Sequence, residues 1–201
     1  MAAVTDADRA ALIRSRLVDN ARVIEETLNS ELVELTATVA GRIVGALRSG
    51  GKVIFFGNGG SAMDAGHLAA EMLGRFYRDR PALAALSLPD ATATMTAIGN
   101  DYGYSEVFVR QLAGLGRAGD VAVALTTSGN SENVVRALRW AKDNGLVTVA
   151  FAGATGGRVA EIADLCITVP TTDTPRVQEA CMHLGHSVCE IVEREMFPAP
   201  E

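Results

Sequence analysis

The chain has 201 residues, 48% of them apolar, and a net charge of −6; this is enough for one domain with a full core, and with no basic cluster it argues against nucleic acid as a partner. No apolar run is long enough to span a bilayer and no signal-peptide pattern opens the sequence, so a cytoplasmic protein with no membrane partner is expected. The three cysteines, Cys166, Cys181 and Cys189, lack CxxC spacing and read as reduced packing residues.

Residues 1–50 carry no proline and no glycine before Gly41. Leu12, Ile13, Leu17, Ala21, Ile24 and Leu28 recur at helical spacing, and Leu32, Leu35, Val39, Ile43 and Leu47 do so again. Two helices are predicted, broken near Asn29–Ser30, with Ser30 capping the second and Gly50–Gly51 stopping it. This helical arm, 1–50, precedes an α/β unit, 51–201. A single α/β layer has limited room for the first helix, so its apolar face is expected to pack on another subunit.

The stretch from Lys52 to Phe76 reads as strand, glycine turn and helix. Val53–Phe56 is an unbroken apolar run, as for a strand covered on both faces. Gly57, Gly59 and Gly60 permit positive φ and close approach of a ligand, and Ser61 is placed to cap the helix that follows. Free N–H groups at that helix start suit an anion, although such turns also occur without one. His67 and Glu71 follow, four apart and so on one helix face. Alone they read as a solvated ion pair. Their apolar neighbours Leu68, Ala69, Ala70, Met72 and Leu73 suggest a mostly buried helix, where a charged pair must be satisfied or functional.

Further strands are predicted at 82–87, 121–125, 147–151 and 166–169. Helices are predicted at 92–98, 105–112, 132–144 and 177–196, with a short one after GATGGR. Strand–helix alternation with apolar strands means a parallel sheet. The fold class is therefore α/β: a five-stranded parallel sheet flanked by helices in three layers, of the flavodoxin or Rossmann kind. Ligands in such sheets bind beyond the carboxyl ends of the strands.

Three polar constellations fall there. GNGGS follows the first strand. Thr126-Thr127-Ser128-Gly129-Asn130-Ser131 follows the third and offers four hydroxyls at a helix start, more than a cap requires. Gly99-Asn100-Asp101 reads as a loop in the second strand–helix unit. The last helix carries Gln178, His183 and His186; a histidine on an apolar helix is most often structural, and His183 is read so. Gln178 and His186 are two turns apart, roughly 12 Å along an ideal axis and about 80° in angle, and meet at one ion only if both lean toward the level of Met182. There is no Walker lysine. Gly57, Gly59 and Ala62 satisfy G-x-G-x-x-A, but Asp90 lies further along than a ribose-binding acid should, and the hydroxyl-rich loop suits a monophosphate better than a dinucleotide.

Taken together, GNGGSAMDAGHLAAEMLGRF, GND, TTSGNS and VPTTDTPRVQEACMHLGH resemble the sugar-isomerase (SIS) domain family, and within it the isomerases of sedoheptulose 7-phosphate. The resemblance covers nearly the whole chain. It implies a cytoplasmic homotetramer that converts a phosphorylated seven-carbon sugar to D-glycero-D-manno-heptose 7-phosphate, the first step toward nucleotide-activated heptose. It implies proton transfer by Glu71 and His186, and one zinc ion per subunit held by His67, Glu71, Gln178 and His186. Substrate contacts carry over to Asn58, Gly59, Gly60, Ser61, Glu71, Asn100, Asp101, Thr126, Thr127, Ser128, Ser131 and Gln178. A zinc-bound carboxylate is a poorer base, so Glu71 would alternate or share its roles. The fold also includes a non-catalytic relative that binds the replication initiator and lacks the paired glutamate and histidine; both stand here. An isomerase of another sugar phosphate is a further alternative that the motifs leave open.

Overall fold

Val53–Gly57 and Val121–Leu125 are buried at every position, as strands covered on both faces must be. A computed structural model describes residues 4–198. In chain order it contains α1 (Asp6–Leu28), α2 (Leu32–Arg48), β1 (Val53–Gly57), α3 (Gly60–Leu73), β2 (Ala85–Ser87), α4 (Thr92–Tyr102), α5 (Val109–Leu115), β3 (Val121–Leu125), α6 (Glu132–Asp143), β4 (Val147–Ala152), α7 (Gly157–Ala160), β5 (Leu165–Thr168) and α8 (Thr174–Met196). The five strands are parallel in the order β2-β1-β3-β4-β5. The chain leaves β1 toward one edge and returns at β3 toward the other, so the topological switch point lies between β1 and β3.

Alternation along β1 divides the core. Val53 and Phe55 face a layer with Val39, Ile43, Leu68 and Val188, from α2, α3 and α8. Ile54 and Phe56 face Phe108, Leu112, Val134 and Leu138 on the other side. The helix α2 belongs to the inner layer, with six buried residues. In contrast, α1 buries only Val23 and Thr27. Its Leu12, Leu17, Val18 and Leu28 are 59%, 64%, 67% and 68% exposed, and Leu28 borders an apolar groove with Val33, His183 and Ile191.

Several boundaries differ from those the sequence predicts. The second strand is three residues, not six, because Leu83 donates its N–H to the carbonyl of Met72 at the end of α3 instead of joining the sheet. Gly99-Asn100-Asp101 is not a loop: α4 continues through it and stops at Gly103, whose φ is +88°. The segment 105–112 splits into a 3-10 turn (Tyr104–Glu106) and α5. Ser61 does not cap α3; the cap position is Gly59, and Ser61 lies buried in the first turn. Ser30 precedes the formal cap of α2, Glu31, though its hydroxyl accepts the N–H of Leu32 at 3.2 Å. His183 is exposed rather than packed in the core. No described helix is long and apolar enough to cross a membrane.

Candidate active site

Two loops meet at the switch point. After β1 the chain turns so tightly that a Cβ on Gly57 would lie 2.6 Å from the carbonyl of Leu125 and 2.8 Å from that of Ser61. Gly59 has a φ of +57°, open to glycine at little cost. The helix α3 starts without a side-chain cap, so its first N–H groups remain available, as an anion site requires. Gly60 has a second constraint: a Cβ there would fall 2.1 Å from Nε2 of Gln178.

The loop after β3 is folded on itself. Thr126 is buried and its Oγ1 accepts the N–H of Gly129 at 3.2 Å. Ser128 Oγ accepts the N–H of Asn130 at 3.2 Å. Gly129, with φ +68°, is pressed on the next loop; a Cβ would fall 2.0 Å from the carbonyl of Gly156. Ser131 is the N-cap of α6, yet makes no side-chain cap bond. Its hydroxyl and that of Thr127 remain open to a ligand. Asn100 and Asp101 bond each other at 2.8 Å on the exposed last turn of α4 and make no hydrogen bond to either loop.

The proton-handling candidates come together from α3 and α8. His67 Nε2 lies 2.9 Å from His186 Nε2 and 3.3 Å from Glu71 Oε1. The expected buried pair is only half buried: the side chains of His67 and Glu71 are 49% and 25% exposed. The buried stripe of α3 runs instead through Ala65, Leu68, Ala69 and Met72, and the His–Glu edge borders it. Burial pushes the His186 imidazole below its usual pKa; neighbouring His67 adds to this and the Glu71 charge opposes it. A neutral imidazole is what both a base and a metal ligand require.

His67, Glu71 and His186 offer ligand atoms that all lie within 4.8 Å of one another. Two nitrogens and one carboxylate oxygen fit a zinc-like ion by donor chemistry. Gln178 stands on the same helix as His186, two turns before it. Its amide faces Asp64 Oδ2 at 3.5 Å, and burial raises the pKa of Asp64 while that hydrogen bond opposes the rise.

Other residues that shape the site have no motif to announce them. Glu193 on α8 accepts the N–H groups of Phe76, Tyr77 and Arg78 at 2.9, 2.8 and 3.0 Å. It also pairs with Arg80 at 3.0 Å, both side chains being nearly fully buried. Arg80 in turn donates to the carbonyls of Glu71 and Met72 at 2.8 and 2.7 Å. This clamp ties the end of α3 to α8 and sets Phe76 against His186, with ring centroids 5.8 Å apart. Asn133 and Tyr104 reach Asn58 from two other elements.

The SIS domain matches residues 17–153, which include both loops, His67 and Glu71. The chain belongs to the SIS domain family. This SIS protein is similar to the phosphoheptose isomerase of Aneurinibacillus thermoaerophilus, 44% identical over 186 residues that cover 92% of this chain and 94% of the relative. It is 53% identical to the phosphoheptose isomerase of Aquifex aeolicus over 77% of this chain and 81% of that one. Its fold matches the structure of a phosphoheptose isomerase from Francisella tularensis with a TM-score of 0.89 and 34% identity, covering 92% of this chain and 98% of the other.

Proposed function

We infer that this SIS protein is an isomerase that converts D-sedoheptulose 7-phosphate to D-glycero-D-manno-heptose 7-phosphate, the first step toward nucleotide-activated heptose. The observation that carries this reading is the convergence of His67, Glu71 and His186 on two helices that also border the uncapped turn after β1. The isomerisation breaks one C1–H bond, forms one C2–H bond and passes through a 1,2-enediol. It needs a base at carbon and a proton carrier at the oxygens. Glu71 takes the proton from C1 and returns it at C2. His186 supplies a proton to O2 and removes one from O1, ending the cycle as it began. Ser61, Thr127, Ser128 and Ser131, with the open N–H groups of α3, hold the phosphate. Asn58, Gly59, Gly60, Asn100, Asp101, Thr126 and Gln178 line the sugar.

His67, Glu71, Gln178 and His186 would hold one zinc ion per subunit. Bound there, zinc supplies Lewis acidity toward the sugar carbonyl and hydroxyls.

We also place the enzyme in the cytoplasm as a homotetramer, with residues 1–50 as the assembling arm. The support is the outer face of α1, whose apolar stripe has no cover among the described residues. Deleting residues 1–29 should lower the mass seen by light scattering and lower turnover; a truncated protein of unchanged mass and activity would refute the arm's role.

The deciding experiment is incubation of the purified protein with sedoheptulose 7-phosphate and, separately, with other ketose phosphates, the products being resolved by NMR. The heptose 7-phosphate is expected as the main product. Faster conversion of a different ketose phosphate would overturn the substrate assignment.

A further inference from the structure

Asn58 and Asn133 form a closed amide pair across the switch point. Nδ2 of Asn58 donates to Oδ1 of Asn133 at 2.8 Å, and Nδ2 of Asn133 donates to Oδ1 of Asn58 at 2.9 Å. Such a pair could in principle be turned over as a unit, both amides exchanging oxygen for nitrogen. A third contact forbids this. The backbone N–H of Val134 donates to Oδ1 of Asn133 at 3.0 Å. Val134 lies in the first turn of α6, where N–H groups have no acceptor within the helix. Turning Asn133 over would set its NH₂ group against that N–H.

The orientation then passes to Asn58. Its oxygen must face the NH₂ of Asn133, and it also accepts the hydroxyl of Tyr104 at 3.1 Å. Both acceptor sites of Oδ1 are thereby filled. Of the two Nδ2 hydrogens, one is used on Asn133, and the second has no partner among the described residues. Asn58 can therefore offer a ligand a donor and no acceptor. Asn133 itself is 4% exposed, too deeply buried to meet a sugar directly.

We propose that Asn133 is a positioning residue: the N-terminus of α6 fixes its amide, and through the Asn58–Asn133 pair it holds Asn58 as an N–H donor toward an oxygen of the bound sugar phosphate. The inference rests on the sugar-phosphate reading of this site. It also links the two cradle loops, because Asn58 follows β1 and Asn133 follows the loop after β3.

The test uses the full-length protein and three variants, Asn133→Ala, Asn133→Asp and Tyr104→Phe, each assayed for kcat and KM on sedoheptulose 7-phosphate and for Tm. Aspartate keeps the acceptor for the Val134 N–H, so a residue that merely starts α6 would be replaced without loss. It cannot donate to Asn58 Oδ1. Both Asn133 variants should therefore raise KM by about tenfold, the scale of one well-placed hydrogen bond, with kcat changed much less and the aspartate variant keeping its Tm. The uncharged alanine variant separates lost donation from simple repulsion of the phosphate by a new carboxylate. Tyr104 is exposed, so Tyr104→Phe should fold normally and raise KM by about twofold to threefold. Unchanged KM in both Asn133 variants overturns the inference, and so does full rescue by aspartate. Absence of turnover by the unaltered protein overturns the isomerase reading and this inference with it.

Discussion

The side chains proposed to handle protons stand on two helices of 14 and 23 residues, whereas the proposed cradle for the phosphate is made of loops. On the helices, three side chains converge, and the proposed function gives each its own role. The Arg80–Glu193 clamp locks the frame behind them, because a buried guanidinium must satisfy its donors and finds carbonyls at the end of α3. In the loops, many weaker donors would share one task, and glycines rather than side chains set the shape. The difference teaches where sensitivity should lie. Loss of one group on the helices removes a step, while loss of one donor in the cradle removes a share of binding.

The sharpest test of that contrast is in the helices. Glu71→Gln and His186→Ala should each lower kcat by about 10²-fold or more, the usual scale for an acid–base group. Both should leave the fold intact. Near-wild-type turnover in either variant would break the comparison at its strongest point.

Metal removal should come next. Dialysis against a chelator should reduce activity by about tenfold or more, and added zinc should restore it. Elemental analysis before and after reports the metal content directly. Activity indifferent to the chelator, in protein without metal, would remove zinc from the account and leave the proton-transfer roles standing.

In the cradle, Ser128→Ala should raise KM several-fold and leave kcat nearly unchanged, because a phosphate remote from the reacting carbons gives largely uniform binding. A fall in kcat alone would mean that this loop serves the chemistry.

The clamp should influence stability more than turnover at 25 °C. Burial by itself would raise the pKa of Glu193, but three backbone N–H groups and Arg80 outweigh it and hold the carboxylate below its usual 4.5. A folded-state pKa below the unfolded one stabilises the protein above the unfolded value. That contribution is lost as pH falls through 4.5 toward the folded pKa. Glu193→Gln leaves Arg80 buried without its counter-charge, at a cost of about 3 kcal/mol or more. Calorimetry at pH 7 should then show Tm lower by roughly 6–12 °C for a chain of this length. The acid-induced fall in Tm below pH 4.5 should also be shallower in the variant. An equal Tm in both proteins at pH 7 would show that the clamp contributes nothing.

The sheet and the two loops at its switch point are legible in the sequence because apolar runs end in glycine or a hydroxyl-rich turn, and the order of the strands then puts those loops side by side. Periodicity also found α1 and α2, but it reports that a face is apolar, not what covers it: α2 went into the core and α1 stayed outside. Gly99 and Asn100 look like helix breakers, yet α4 runs through them because Gly103 supplies the stop. The meeting of His67 and His186, 119 residues apart, depends on how two helices pack and was available only through family resemblance. Glu193 resembles a surface acid on a terminal helix, and Asn133 an ordinary residue in a helix start. Their roles depend on partners that no local pattern announces.

The three free thiols leave the molecule chemically quiet. Burial pushes Cys181 and Cys189 up to about 12 and Cys166 to about 11, so at neutral pH almost none is thiolate, the form that attacks maleimides and disulfides. A single cysteine introduced at an exposed polar position away from α1, such as Asp143→Cys at the end of α6, would carry a dye or spin label essentially alone. No native cysteine need first be removed, and the distance between labels on neighbouring copies could be read from an otherwise unaltered protein.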